Sequence, residues 1–181
     1  MARPERIYLT GFMGCGKSTL GPRLAGALGF TFVDLDEAVV QRAGKSIRAI
    51  FAEDGEAAFR RLEADALRAT AGLDRVVVAT GGGTFMQEDH LRWARDHGTV
   101  VYLRVKPGEL ARRLRRGQAR RPLLCDDRGK PLPPDALRQR IETLLAEREP
   151  VYRQAHLTVD VGRGTPEMAT GALLKALVWH L

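Results

Sequence analysis

An α/β fold built around a parallel sheet is predicted by three observations. Short apolar runs alternate with helical periodicity along the whole chain, the pattern of strands joined by crossover helices. The first run enters a glycine-rich loop that opens a helix. The chain has 181 residues, 44% of them hydrophobic, enough for one domain with a core that needs no disulfide or metal to hold it. Residues 6–10 (RIYLT) are the first strand, and 17–28 follow as a helix with apolar rows at Leu20, Leu24, Ala27 and Leu28. Residues 30–35 (FTFVDL) are the second strand, and a helix beginning at Glu37 stops at Gly44. Ser46 caps the next helical stretch, 47–71, which Asp54-Gly55 divides into two. Residues 76–80 (VVVAT) form a buried strand that runs into three glycines; 87–97 is a helix and 99–105 the fourth strand. Pro107 occupies the tolerated first turn of a helix that dissolves at Gly117. Residues 117–134 hold four prolines and two glycines without periodicity, which predicts a long loop of the kind used as a lid. A helix at 135–148, stopping before Pro150, a fifth strand at 157–161 and a last helix from Pro166 complete the chain.

Charge and cysteine content narrow the function classes. Basic residues number 29 and acidic ones 22, a formal net charge of +7. Six arginines in residues 112–121 (RRLRRGQARR) supply nearly all of it, so the other 171 residues carry only +1. A nucleic-acid binder would spread basic residues over a face and interleave aromatics. Aromatic residues are 6% of the chain and absent from this run, so no nucleic-acid partner is expected. Only Cys15 and Cys125 are present, and with no secretory segment at the start a reduced, cytoplasmic setting is expected. No apolar run approaches the ~18 residues of a membrane span, so no membrane partner is expected either.

Residues 11–18 (GFMGCGKS) match G-x-x-x-x-G-K-[ST] and lie between a strand and a helix, where a phosphate-binding loop belongs. Glycines let backbone N–H groups converge on phosphate oxygens, the helix N-terminus adds positive potential, and Lys17 reaches the terminal phosphates. Ser18 offers a hydroxyl to Mg²⁺, and Cys15 fits as a small residue. An ordinary glycine turn is the competing explanation, and the strand-loop-helix setting weighs against it. The loop alone does not separate kinase from GTPase or mechanical ATPase. No N-K-x-D guanine signature is present, and the third strand ends in glycines where a magnesium-site aspartate would often stand.

Asp34 and Asp36 leave the second strand at i and i+2, so in extended chain both side chains point the same way. That edge of an open α/β sheet is where ligands bind, which suits one acid near Mg²⁺ and one near a hydroxyl-bearing acceptor. Helix capping by Asp36 is the competing explanation. Arg60 and Glu63, at i and i+3 on a helix, can pair so that Glu63 aims Arg60 at an acidic substrate; as a bare surface pair they would mean little. The glycines at 81–83 form either a turn or a place of close backbone approach to a ligand. Arg148, at the end of its helix, either compensates the dipole or binds an anion.

Taken together these features resemble shikimate kinase across nearly the whole chain: GFMGCGKST at 11–19, DLD at 34–36, GKSIRAIFAEDGEAAFRRLE at 44–63, GGG at 81–83, RPLL at 121–124 and ER-x-P-x-Y at 147–152. The resemblance implies a P-loop kinase fold, nucleoside-monophosphate-kinase-like, with a five-stranded parallel sheet flanked by helices, a substrate-binding segment at about 36–63 and a mobile lid at about 117–134, all in one domain over 1–181. It implies transfer of the γ-phosphoryl group of ATP to the 3-hydroxyl of shikimate, with Mg²⁺, in a monomer. By matched motif it places ATP on Gly14, Cys15, Gly16, Lys17, Ser18, Thr19 and Arg121, and Mg²⁺ on Ser18. Lys17, Asp34 and Arg121 are the implied catalytic residues, and Asp36, Arg60, Gly82 and Arg148 the shikimate-binding ones, with Phe51, Phe59 and Pro122 as part of an apolar wall. A related small-molecule kinase, such as a gluconate kinase, and a nucleotide-binding regulatory protein are the alternatives.

Overall fold

A computed structural model describes residues 5–180. The five strands are β1 (Arg6–Thr10), β2 (Thr31–Asp34), β3 (Val76–Ala79), β4 (Thr99–Arg104) and β5 (Leu157–Asp160), all parallel, in the spatial order β2-β3-β1-β4-β5. The order reverses on either side of β1, and at such a switch point the loops leaving the carboxyl ends open a crevice. Leu9 pairs with Ala79 and Asp34 with Ala79, so the ends of β1, β2 and β3 lie level. The phosphate-loop candidate, the DLD acids and the triple glycine therefore emerge side by side.

Alternation along the strands divides the core into two layers. Ile7, Leu9, Val77, Val101 and Leu103 face α1 (Lys17–Leu28), α6 (Pro107–Leu114), α7 (Pro134–Tyr152) and α8 (Pro166–His180). Tyr8, Val76, Val78 and Val100 face α2 (Leu35–Ala43), α3 (Ile47–Glu53), α4 (Gly55–Ala69) and α5 (Glu88–His97). The strand residues at the centre are fully buried, consistent with a sheet covered on both faces. Among the described residues, no helix is long and apolar enough to cross a membrane.

Two local expectations need correction. The second strand ends at Asp34, and α2 begins at Leu35 instead of Glu37. The Asp34 carboxylate accepts from the Asp36 N–H at 3.0 Å and satisfies a first-turn donor that an extended chain would not present. Second, α7 does not stop at Arg148 but runs through Pro150 to Tyr152. Proline removes one backbone hydrogen bond, yet Leu145 and Tyr152 are buried against the sheet on this helix and hold the last turn in place. The 117–134 stretch is a long loop, as expected, with short local order of its own. It contains 3-10 turns at Gln118–Arg120 and Pro122–Leu124 and a bridge between Cys125 and Pro131. The buried Gln118 amide donates to Leu124 O (2.7 Å) and Leu132 O (3.1 Å), and Asp126 Oδ1 accepts from the N–H groups of Arg128 and Lys130. Such irregular structure rests on side-chain-to-backbone bonds, which leave no periodic trace in a sequence.

Gly98 ends α5 and leads directly into β4. A Cβ at this position would lie 2.6 Å from Arg6 O and 2.9 Å from the Tyr8 ring, against backbone and core that cannot easily yield. Gly98→Ala is therefore expected to destabilise the protein by about 1–3 kcal/mol, the usual cost of overpacking. Urea denaturation checks this, and an unchanged midpoint would contradict the tight β1–β4 seam.

Candidate active site

The loop at 11–18 joins β1 to α1 and takes its shape from glycine. Gly14 (φ 76°) and Gly16 (φ 109°) hold left-handed conformations, and Gly16 is the N-cap of α1. Among the described residues no side chain caps this helix, and no acid stands in its first turn, so its first-turn N–H groups and positive end are available to an anion. Lys17 reaches back across the loop, donating to Gly11 O at 2.7 Å and Phe12 O at 3.3 Å. Cys15 is buried beneath it, 3.5 Å from the Lys17 ammonium, and packs as a small core residue.

Asp34 connects this loop to the second strand. Its Oδ2 accepts from Ser18 Oγ at 3.1 Å while its Oδ1 caps α2. The capping explanation thus applies to Asp34, and Asp36, in the first turn of the helix, is released from it. Asp36 instead lies against the triple glycine, where a Cβ on Gly81 would meet Asp36 Oδ1 at 2.9 Å, Thr84 Oγ1 at 2.9 Å and Glu63 Oε1 at 3.4 Å. Burial pushes the Asp36 carboxyl up to about 6, with the charges of Asp34 and Glu63 adding and Lys17 opposing.

The arginines converge on the same glycines. Glu63 is only 2% exposed; one of its oxygens accepts from Arg60 Nη1 at 2.8 Å and the other from Thr84 Oγ1 at 2.7 Å. This is the orienting pair the sequence suggested, with Thr84 as an additional anchor. Arg60 Nη2 also reaches Glu56 at 3.2 Å, whereas Arg60 Nε is buried without a partner among the described residues. Arg148 projects from within α7, where a dipole-compensating role has no basis. Its Nη1 lies 3.4 Å from Gly82 O and its guanidinium sits over the Phe12 ring at 5.9 Å. Phe51 and Phe59 pack together with ring centroids 4.7 Å apart. Two acids, Asp36 and Glu63, and two guanidinium groups thus surround residues 81–83 beside the phosphate-loop candidate.

Sequence reasoning missed a second feature behind the loop. A cavity of about 300 Å³ is lined by Gly14, Gly16, Thr19, Arg113, Val161 and Thr165, among others. Arg113 spans it, with long contacts of 3.3 Å to Gly14 O and Cys15 O and 3.4 Å to Val161 O and Gly162 O, while its Nε donates to Glu109 at 2.7 Å. Arg112 and then Arg113 hold the Glu109 carboxyl well below the carboxylate range, at about 2. The arginine run was visible, but not which arginine turns inward. Arg121, expected over the phosphates, is instead folded onto its own segment, donating to Gly117 O at 2.8 Å.

Comparison with known proteins gives a consistent family. Residues 13–178 match the family model described as shikimate kinase. A shikimate kinase of Salinibacter ruber is 50% identical over 165 residues, covering 91% of this chain and 81% of that protein. The crystal structure of shikimate kinase from Bacteroides thetaiotaomicron superposes with a TM-score of 0.86 at 36% identity, covering 97% of this chain and 99% of the other. Shikimate kinase from Acinetobacter baumannii, solved in complex with shikimate, gives 0.83 at 34%, covering 97% and 93%.

The raised Asp36 value makes a pH prediction independent of any activity. Between the ordinary 3.8 and about 6 the folded chain binds this proton more tightly than the unfolded chain. Its contribution to stability is therefore complete at low pH and is lost as pH rises through about 6. Asp36→Asn, which cannot ionise, should gain stability over the parent between about pH 4 and about pH 7, by up to ~3 kcal/mol. Urea titrations at both pH values measure this, and an equal difference at the two would refute the burial of the charge.

Proposed function

The chain belongs to the shikimate kinase family, and from that premise we propose that its site transfers the γ-phosphoryl group of ATP to the 3-hydroxyl of shikimate, giving shikimate 3-phosphate and ADP. The observation that carries this reading is the gathering of Asp36, Arg60 and Arg148 around residues 81–83, next to a phosphate loop. A carboxylated polyol requires both: carboxylate acceptors for its hydroxyls and guanidinium groups for its acid. Asp36 accepts from shikimate hydroxyls, Arg60 and Arg148 hold its carboxylate, and Gly82 offers its N–H.

On the other side of the crevice, the residues 14–19 and the N-terminus of α1 hold the phosphates of ATP, with the Lys17 ammonium on the terminal ones. The cavity crossed by Arg113 takes the remainder of the nucleotide. Ser18 and Asp34, already joined at 3.1 Å, are the oxygen donors a Mg²⁺ ion would use together with phosphate oxygens. When bound, the ion neutralises charge between the β and γ phosphates. The shikimate oxygen attacks the γ phosphorus, the bond to the ADP oxygen breaks, and Asp34 receives or directs the hydroxyl proton. Arg121 leaves Gly117 O and closes over the phosphates with the 117–134 lid, excluding water. The same reading makes the chain a single kinase domain with its substrate segment at 36–63, acting as a cytoplasmic monomer without nucleic-acid or membrane partners. Pairing of Arg112 and Arg113 with Glu109 supports a structural use for part of the arginine run. Gluconate-type acceptors are not favoured, since the motifs and relatives point to shikimate.

Coupled ADP release tests the reading: turnover is expected with shikimate, and the same rate with gluconate or with no acceptor would sink it. Lys17→Met should lower turnover by about two orders of magnitude or more, since one cation aimed at developing phosphoryl charge is worth about 3 kcal/mol. Unfolding should remain cooperative, and near-normal turnover would remove Lys17 from the chemistry. Arg121→Ala should likewise cripple turnover, whereas replacing exposed Arg115 and Arg116 together should change it little. Equal losses in the two variants, with steeply salt-dependent binding of nucleic acid, would assign the arginines to a different partner.

A further inference from the structure

Two side chains of α7 meet one carbonyl. Arg148 and Tyr152 are four residues apart on the helix and so share a face. Tyr152 Oη donates to Gly82 O at 2.6 Å, a short and strong bond, while Arg148 Nη1 donates to the same oxygen in a long, weaker bond of 3.4 Å. Tyr152 is 1% exposed and its ring packs against Tyr102 at 5.2 Å, so the hydroxyl has little freedom to turn elsewhere. Burial pushes the phenol up to about 12, against the opposing pull of Arg148, and it therefore remains a donor at neutral pH. Arg148 itself is only partly buried, and its guanidinium lies over the Phe12 ring.

We propose that Tyr152 is a positioning residue for the acceptor: by taking the stronger bond to the Gly82 carbonyl it holds Arg148 to a long, weak contact there, which the substrate carboxylate can displace. The identity of that carboxylate as shikimate's rests on the function proposed above; the competition between the two donors does not. Without the hydroxyl, the Gly82 carbonyl is left to Arg148 alone and that bond tightens, so an anion must displace a stronger partner. Tyr152 reaches the carbonyl only because α7 continues past Pro150, so the helix extension is part of the device.

The test is a double-mutant cycle of Tyr152→Phe and Arg148→Ala, with steady-state kinetics for both substrates and thermal melts. Tyr152→Phe should raise the KM for shikimate about 10-fold, the effect of weakening one charge-assisted contact, and leave the KM for ATP within about twofold. It should add nothing further in the Arg148→Ala background. In the protein without substrate, nitrogen NMR of the Arg148 side chain should show slower guanidinium rotation in Tyr152→Phe than in the parent. Incorporating 3-fluorotyrosine at 152, which keeps the ring and sharpens the donor, should hold the shikimate KM at or below the parental value. An unchanged shikimate KM, penalties that add in the double variant, or a parallel rise in both KM values would overturn the proposal. If the parent shows no shikimate-dependent turnover, the acceptor assignment fails, and the Arg148 NMR signature alone decides the clamp: unaltered rotation overturns it and slowed rotation upholds it.

Discussion

The Asp34 carboxylate is the join on which the site depends. One oxygen takes the Ser18 hydroxyl and the other takes the Asp36 N–H, so a single side chain ties the phosphate loop, the end of β2 and the start of α2 into one piece. A carboxylate with both oxygens engaged is fixed in orientation. The same geometry burdens Asp36. With one acid already committed next door and Glu63 buried close by, Asp36 must carry its charge in a partly dehydrated, negative neighbourhood. That is an unfavourable arrangement for folding and a useful one for binding hydroxyls and cations, a common compromise at functional sites.

Close approach of the backbone is the second constraint. Strand order places β3 between β1 and β2, so the residues that follow β3 emerge between the phosphate loop and Asp36. Any side chain on Gly81 would collide with Asp36 and Thr84, and a Cβ on Gly82 would come within 3.6 Å of Met13 N and 3.9 Å of Arg148. Glycine here does not serve flexibility alone. It lets an acid, a buried Glu63–Arg60 pair and the face of α7 approach the same few atoms.

The arginine run illustrates how one composition serves separate physical roles. Arg112 and Arg113 share the Glu109 carboxylate, a pair of bonds worth little at the exposed Arg112 and more where Arg113 turns toward the loop carbonyls. Arg121 belongs to a small built segment, held by buried Gln118 and Leu124, that is anchored to the rest of the chain through Arg140 and the start of α7. Such a segment has internal order of its own.

Elements with local causes were legible in the sequence. The alternation of strands and helices, the phosphate loop, the break at Asp54-Gly55 and the Arg60–Glu63 pairing all follow from spacing within a few residues, where backbone geometry alone sets who meets whom. Partner choice across the fold was not. The continuation of α7 through Pro150, the inward turn of Arg113 and the meeting of Tyr152 with Gly82 depend on contacts between distant positions, 99 residues apart for Arg113 and Gly14 and 70 for Tyr152 and Gly82. No local signal encodes such contacts. They are decided when burial of the two core layers brings the elements together and each enclosed polar group must find a partner where it has been placed.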